Sequence, residues 1–204
     1  MANDELKEEF LAFGINEACN IEWPGSANEL SQTSADAVFD LLFEINGYNV
    51  SYLKPISDRP VFVNSVAKTI AEIGMPFFRI NGWACFLKRQ LAEVSCTDGS
   101  QKKSAEDILS LINRKAEWVP DIKGFVSARV VSMIINEAFF ALEEKVSTRD
   151  EIDIAMKLGT NYPYGPFEWV KRIGIKNIAG LLLALSKQEK RYAPSKLLLI
   201  EAGK

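Results

Sequence analysis

The hydrophobic pattern changes at Pro120, and this change sets the fold class. Before Pro120, short runs of β-branched and aromatic residues alternate with stretches of helical apolar spacing. Such alternation is typical of strand–helix–strand crossovers and of a mainly parallel sheet. After Pro120, nearly every segment has helical spacing. We therefore predict an α/β plus all-α chain, with an incomplete, mainly parallel sheet domain over residues 1–121 and an all-α domain over 122–204.

The sheet domain is predicted from short apolar runs between turn residues. The predicted strands are CNIEW, AVFDLLFEI (37–45), PVFVNS, FFRING, LAEVSC and AEWVP. The period of AVFDLLFEI alone does not exclude a helix. Helices are predicted for DELKEEFLAF (4–13, ended by Gly14), SVAKTIAEIG and SAEDILSLINRK.

The all-α domain begins with a long segment, residues 125–146, that has apolar residues on nearly every face. Such a helix is buried by more than its own domain or lies at the centre of an assembly. Thr148 and Glu151 predict a capping box for the next helix, which Gly159 ends. The following Tyr-Pro-Tyr-Gly-Pro-Phe bridge predicts a packed aromatic corner, from which a new helix starts at Pro166.

The composition excludes several classes of function. The net charge is −3 and the pI is about 5.2, so no basic surface points to nucleic acid or an anionic membrane. The acidic start is unlike a secretory signal, and no apolar run approaches the roughly 18 residues of a membrane span. Three cysteines without a C-x-x-C pair predict free thiols, and a cytoplasmic protein is expected.

The sequence contains no histidine. A mechanism with imidazole as the general base or as a metal ligand is therefore excluded for these residues. The scattered cysteines also lack the spacing of a zinc site, so no metal is predicted.

One long stretch resembles a known family. GFVSARVVSMIINEAFFALEEKVSTRDEIDIAMKLGTNYPYGPFEWVKRIG is similar to the C-terminal helical domain of the 3-hydroxyacyl-CoA dehydrogenase family. Upstream, ADAVFDLLFE, PVFVNSVAKTI and QLAEVSC resemble family strands in the same order, the last bearing the active-site glutamate. The resemblance implies a Rossmann fold for NAD, a homodimer formed by the helical domain, and an acyl-CoA thioester as substrate.

The family's cofactor motif is missing from this chain. None of the twelve glycines has the G-x-G-x-x-G spacing of a dinucleotide site, and no residues are left for the expected first strand. The first helix opens with acidic residues, which repel a pyrophosphate. These residues are Asp4, Glu5, Glu8 and Glu9. No cofactor is predicted, although the family uses NAD.

The family's catalytic residues are also altered. Its histidine lies in a segment that resembles MPFFRINGW, where Pro76 or Phe78 takes its place. The glutamate that holds this histidine corresponds to Glu93, which we expect to lack its partner. Ala128 replaces a substrate-orienting asparagine.

Some candidate site residues remain. The resemblance implies Ser65, Asn81 and Arg129 as substrate-binding residues, and Glu93 and Ser65 as the catalytic candidates. Each also has a structural explanation: Ser65 as a helix cap, Asn81 as a turn residue, and Arg129 as the partner of Glu137 or Asp121.

Three hypotheses follow. The first is a catalytically degenerate dimer that binds acyl-CoA or has a regulatory role. The second is an active NAD-dependent dehydrogenase that uses Glu93, Tyr162 or Tyr164 as its acid–base group. The third is an interaction module that binds no small molecule.

Overall fold

A five-stranded sheet forms the centre of the N-terminal unit. A computed structural model describes residues 1–204, and the chain divides into two compact units, Met1–Phe125 and Val126–Lys204. The strands are β1 Val38–Asp40, β2 Val61–Asn64, β3 Phe78–Ile80, β4 Leu91–Ser95 and β5 Lys115–Trp118. They lie in chain order, and every neighbouring pair is parallel except the antiparallel pair β3–β4. The prediction of a mainly parallel, Rossmann-like sheet is confirmed.

Both faces of the sheet are covered. The side chains of Val61 and Val63 enter one hydrophobic cluster, and Phe62 enters another, because successive residues of a strand point to opposite faces. The Phe62 ring stacks between Phe39 and Phe78, with ring centroids 4.5 and 4.8 Å away. Burial on both faces is typical of parallel strands and explains the continuous apolar run of β2.

Four helices accompany the sheet: α1 Asp4–Phe10, α2 Ala27–Ser31, α3 Ile70–Ile73 and α4 Lys102–Leu111. Two predicted helices are therefore shorter than expected, since α1 ends before Leu11 and α3 begins only at Ile70. The start of α3 is fixed by Thr69, whose side chain accepts from the Glu72 N–H in a capping box.

Two strand predictions are corrected. AVFDLLFEI is extended only over its first residues, because the buried Asp40 carboxylate accepts from the Leu42 N–H and turns the chain. CNIEW has no regular structure, since no strand lies beside it to pair with its backbone.

A buried arginine connects the sheet to the end of the unit. Arg79 of β3 is fully buried and its guanidinium pairs with Asp121. It also donates to the carbonyl oxygens of Ser65 at 2.9 Å and Ile122 at 3.3 Å, and it lies 4.5 Å from the Phe125 ring centroid. Burial lowers the pKa of Arg79, while Asp121 acts in the opposite direction.

The C-terminal unit consists of helices. They are α5 Ser127–Glu143, α6 Arg149–Thr160, α7 Pro166–Ile173, α8 Ile175–Ser186 and α9 Lys196–Glu201. The capping box of Thr148 and Glu151 and the start of α7 at Pro166 are both confirmed. The end of α6 differs from the prediction, because the helix continues past Gly159 to Thr160 and is followed by Asn161, which has a left-handed backbone.

The predicted aromatic corner is confirmed. The rings of Tyr162 and Tyr164 pack against Trp169, with centroid distances of 5.4 and 6.3 Å. The buried Asp153 carboxylate accepts from the Phe167 N–H at 2.8 Å, which joins α6 to the start of α7. Gly165 is required there because a Cβ at this position would overlap the Asp153 side chain.

None of the helices has the length and hydropathy that a membrane span requires.

We expect Asp121→Asn to lower the free energy of unfolding by about 3 kcal/mol, because the buried guanidinium of Arg79 loses its counter-charge. The measurement is urea unfolding followed by circular dichroism. Asp107→Asn is the matched control, since the Lys103–Asp107 pair is exposed and should contribute about 0.5 kcal/mol or less. Equal effects of the two substitutions would contradict the role assigned to Arg79.

Candidate functional site

The turns that follow β1, β2 and β3 meet at one edge of the sheet. These three strands are parallel, so their carboxyl ends lie together, where ligands bind in open α/β sheets. This edge contains Glu44, Ser65 and Asn81, and therefore two of the predicted site residues.

The Glu44 carboxylate holds the three turns together. It accepts from the backbone N–H groups of Val66 at 3.3 Å and Ala67 at 2.9 Å, and from Trp83 Nε1 at 2.9 Å. The hydroxyl of Tyr48 also donates to it. Burial, followed by the negative charge of Glu44, raises the pKa of Tyr48 above its ordinary value. Sequence reasoning missed this function of Glu44, since its four donors come from three separate turns.

Ser65 is fully buried, and its hydroxyl donates to the Lys68 carbonyl oxygen at 2.9 Å. The single hydroxyl proton is thus used within the turn and does not reach a ligand carbonyl in this arrangement. The alternative of Ser65 as a helix cap is wrong, because the cap of α3 is Thr69.

Asn81 and Glu93 form a side-chain pair. Asn81 Nδ2 donates to Glu93 Oε2 at 2.8 Å, and the backbone N–H of Asn81 donates to the Glu93 carbonyl oxygen at 3.2 Å. The expectation that Glu93 lacks a partner is therefore wrong. The assignment of Pro76 or Phe78 to the histidine's place is corrected as well, since Asn81 is the residue beside Glu93, and Phe78 lies in the hydrophobic core.

The other end of the Asn81 amide has no protein partner. Its Oδ1 atom is buried without a hydrogen bond, and the side chain borders a cavity of about 20 Å³ that Phe10, Phe39 and Arg114 help to line. A cavity of this size holds about one water molecule. Within the N-terminal unit, this cavity therefore has no room for a thioester.

Gly82 lets the turn after β3 approach β2 closely. Its N–H donates to Asn64 Oδ1 at 3.0 Å, and Asn64 Nδ2 donates to the Leu41 carbonyl oxygen at 3.2 Å. A Cβ on Gly82 would lie 2.8 Å from Asn64 Cβ and Cγ. The Asn81-Gly82 dipeptide is thus a buried, hydrogen-bonded part of the edge.

The remaining candidates lie in the C-terminal unit. Arg129 of α5 donates to the Tyr192 hydroxyl at 3.3 Å, and its guanidinium lies 5.5 Å from that ring's centroid. Arg172 lies over the ring of Tyr164 at 4.4 Å. Both tyrosines of the corner, Tyr162 and Tyr164, thus have packing roles.

The start of α1 does not fit a pyrophosphate. The N–H of Leu6 is already taken by Asn3 Oδ1 at 2.9 Å, and Asp4 and Glu5 carry negative charge in the first turn. Anion sites at helix starts need unpaired N–H groups and a positive field. The chain also has no group of three His, Cys, Asp or Glu side chains placed to hold a metal ion.

The helical unit matches a known domain. Residues 124–203 match the family model of the 3-hydroxyacyl-CoA dehydrogenase C-terminal domain. The C-terminal unit is therefore similar to the C-terminal domain of the 3-hydroxyacyl-CoA dehydrogenase family. The sequence resemblance is therefore confirmed where it is longest.

Individual relatives extend the comparison. The chain is 44% identical over 91 residues to a 3-hydroxyadipyl-CoA dehydrogenase of Escherichia coli, covering 42% of this chain and 19% of that protein. It is 30% identical over 111 residues to a 3-hydroxybutyryl-CoA dehydrogenase of Bradyrhizobium diazoefficiens, covering 52% of this chain and 38% of that protein. The chain thus spans less than half the length of these curated relatives.

A solved structure supports the fold across both units. The crystal structure of (S)-3-hydroxybutyryl-CoA dehydrogenase from Ralstonia eutropha has a TM-score of 0.68, with 24% identity over 88% of this chain and 69% of that chain. At this identity the likeness concerns the fold, a Rossmann-like domain followed by a helical domain.

We expect Gly82→Ala to lower the free energy of unfolding by about 1–3 kcal/mol, because Asn64 must leave its hydrogen bonds to admit the new methyl group. Chemical denaturation measures the change. Gly99→Ala serves as the control, since nothing lies within 4 Å of a Cβ at that position. If both variants are equally stable, the close approach of the β2 and β3 turns is incorrect.

Proposed function

We propose that this protein is a 3-hydroxyacyl-CoA dehydrogenase homologue that has lost hydride transfer and acts as a dimeric acyl-CoA-binding or regulatory protein. The observation that carries the proposal is the Asn81–Glu93 pair. In the family that this chain resembles, the partner of the corresponding glutamate is a histidine that acts as the base. Here the partner is a carboxamide, which does not take up a proton near neutral pH.

The magnitude of the loss supports this proposal. Removal of a general base costs roughly 10²–10⁴ in rate, and removal of a donor to a developing oxyanion costs about 10²–10³. This chain has Asn81 in place of the base and Ala128 in place of a substrate-orienting amide. The acidic start of α1 also opposes pyrophosphate binding. Little of the reaction should remain after changes of all three kinds.

The competing function is an active dehydrogenase with Glu93 as its base. Glu93 carries a carboxylate that can accept a proton, and its hydrogen bond to Asn81 fixes its orientation. We consider it the second candidate, because nothing at α1 supplies the cofactor contacts that hydride transfer needs.

Dimer formation through the C-terminal helices is part of the proposal. Six large apolar side chains of this unit are exposed, among them Val146 by 70%, Ile154 by 52% and Leu158 by 83%. Ile154 and Leu158 are four residues apart on α6 and so share one helix face. Exposed apolar side chains grouped on one face are typical of protein contacts.

We expect no oxidation of NADH above the blank when the purified protein is mixed with acetoacetyl-CoA. Asn81→His should remain inactive too, because it restores the base without a cofactor site. Calorimetric titration with acetoacetyl-CoA alone should detect binding. Turnover that Glu93→Gln abolishes would establish the competing function, whereas absence of any thioester binding would leave only an interaction module.

We expect Leu158→Glu to convert a dimer to a monomer in sedimentation velocity at micromolar concentration, since a buried charge would face the partner. Leu91→Glu is the control, because Leu91 is likewise exposed, by 52%, but lies on β4 of the N-terminal unit. A wild-type protein that is already monomeric would rule out this part of the proposal.

A further inference from the structure

A second cavity of about 410 Å³ opens beside β1 in the N-terminal unit. Its walls are two segments without regular structure, residues 18–24 and 33–37, and its floor includes Phe10, Phe39 and Ile108. We call this cavity the β1 slot. Its volume lies within the range of about 300–1,000 Å³ that is usual for binding pockets.

The walls of the β1 slot carry unpaired backbone groups. None of the N–H groups from Asn20 to Trp23 donates a hydrogen bond, although Ile21 and Trp23 pack against the hydrophobic core. On the other side, the Val38 N–H donates to the Pro60 carbonyl oxygen toward β2. The N–H of Phe39, one residue further, faces the opposite edge because strand amides alternate.

Met1 shows how a chain pairs with this edge. Its amino group donates to the Phe39 carbonyl oxygen at 2.6 Å, and its carbonyl oxygen accepts from the Leu41 N–H at 2.8 Å. These two bonds flank Asp40 and form one step of a parallel ladder. Met1 therefore occupies this edge of β1 from the Phe39 carbonyl oxygen to Leu41, and the slot lies on the same edge at the start of β1, where the Phe39 N–H is unpaired.

The side chains of the β1 slot disfavour a phosphorylated ligand. No lysine or arginine lines it, and its charged side chains are the carboxylates of Glu22 and Asp36. The Met1 amino group, which donates to the Phe39 carbonyl oxygen, also belongs to the lining, so a dinucleotide or a CoA phosphate would meet two carboxylates against one positive group there. The apolar floor suits branched side chains at every second position of an extended chain.

We propose that the β1 slot binds an extended strand of another polypeptide, which adds to the sheet parallel to β1. Unpaired backbone groups at a sheet edge are the main source of affinity in this mode of recognition, and alternate side chains fill the pockets. The bound strand lies between β1 and Asn20–Trp23, and its side chains on one face contact the floor formed by Phe10, Phe39 and Ile108. This binding is separate from the proposed thioester function.

Two thiols of the protein provide a direct test. Cys19 lines the slot and Cys96 lies outside it, and both are free and half-buried. The probe is a capped hexapeptide of alternating valine and threonine with a thiopyridyl disulfide at one end. The Cys19 thiolate attacks the peptide-side sulfur, forms a mixed disulfide and releases thiopyridone. A second peptide carries the disulfide at its other end, to distinguish the two strand directions.

Peptide mapping gives the ratio of labelling at Cys19 to labelling at Cys96. This ratio is divided by the ratio obtained with a thiopyridyl disulfide that carries no peptide. This correction is needed because burial raises the pKa of the Cys96 thiol and slows its reaction. We expect about tenfold or greater enrichment at Cys19 for one of the two peptides, together with slower hydrogen exchange at Phe39 and at Asn20–Trp23.

The matched control is the same peptide with alternate backbone nitrogens methylated, which keeps the side chains and removes backbone donors. Loss of the enrichment with this peptide supports strand addition. Enrichment that survives methylation would show an ordinary apolar pocket and would overturn the proposal. Equal labelling of Cys19 and Cys96 by both unmethylated peptides would overturn it as well.

Discussion

The turn after β2 is fixed from two sides by buried charges, and the site edge depends on this arrangement. Arg79 donates to the carbonyl oxygens of Ser65 and Val66, while the Glu44 carboxylate accepts from the N–H groups of Val66 and Ala67. A cation and an anion thus hold opposite sides of the same three residues. Because Asp121 neutralises Arg79 and the Trp83 and Tyr48 donors surround Glu44, both charges are compensated within the unit. These contacts leave Ser65 with its proton committed to the turn.

The strands β2 to β5 were predictable from the sequence because each is a short apolar or alternating run between turn residues. The error at AVFDLLFEI has a physical cause, since the side chain of Asp40 caps a turn that its apolar neighbours conceal. CNIEW failed for a different reason: its composition suits a strand, but a strand also needs a neighbour with which to pair. The helices of the C-terminal unit were easier to predict, because Thr148 and Glu151 mark the start of α6 and Pro166 marks the start of α7.

The site was less predictable than the fold. Ser65, Asn81 and Glu93 were found through the family resemblance, yet their contacts were not, because those contacts join residues that are far apart in the chain. The Asn81–Glu93 bond decides which residue occupies the histidine's place, and no local pattern in MPFFRINGW indicates it. Glu44 was missed for the same reason.

Acidic side chains begin α1 and line the β1 slot. Asp4 and Glu5 begin α1, shortly after Met1 pairs with the edge of β1, and Glu22 and Asp36 are the charged side chains that line the β1 slot. A Rossmann-like sheet that binds a dinucleotide needs unpaired N–H groups and an attractive field for phosphate beside its first strands. Here unpaired N–H groups are present along Asn20–Trp23, but no basic side chain lines the slot, and Lys7, whose Nζ lies 5.7 Å from the Trp23 ring centroid, pairs with Asp4. An uncharged backbone can use such groups where a pyrophosphate cannot, so the lining of the β1 slot fits the proposed polypeptide strand better than it fits a dinucleotide.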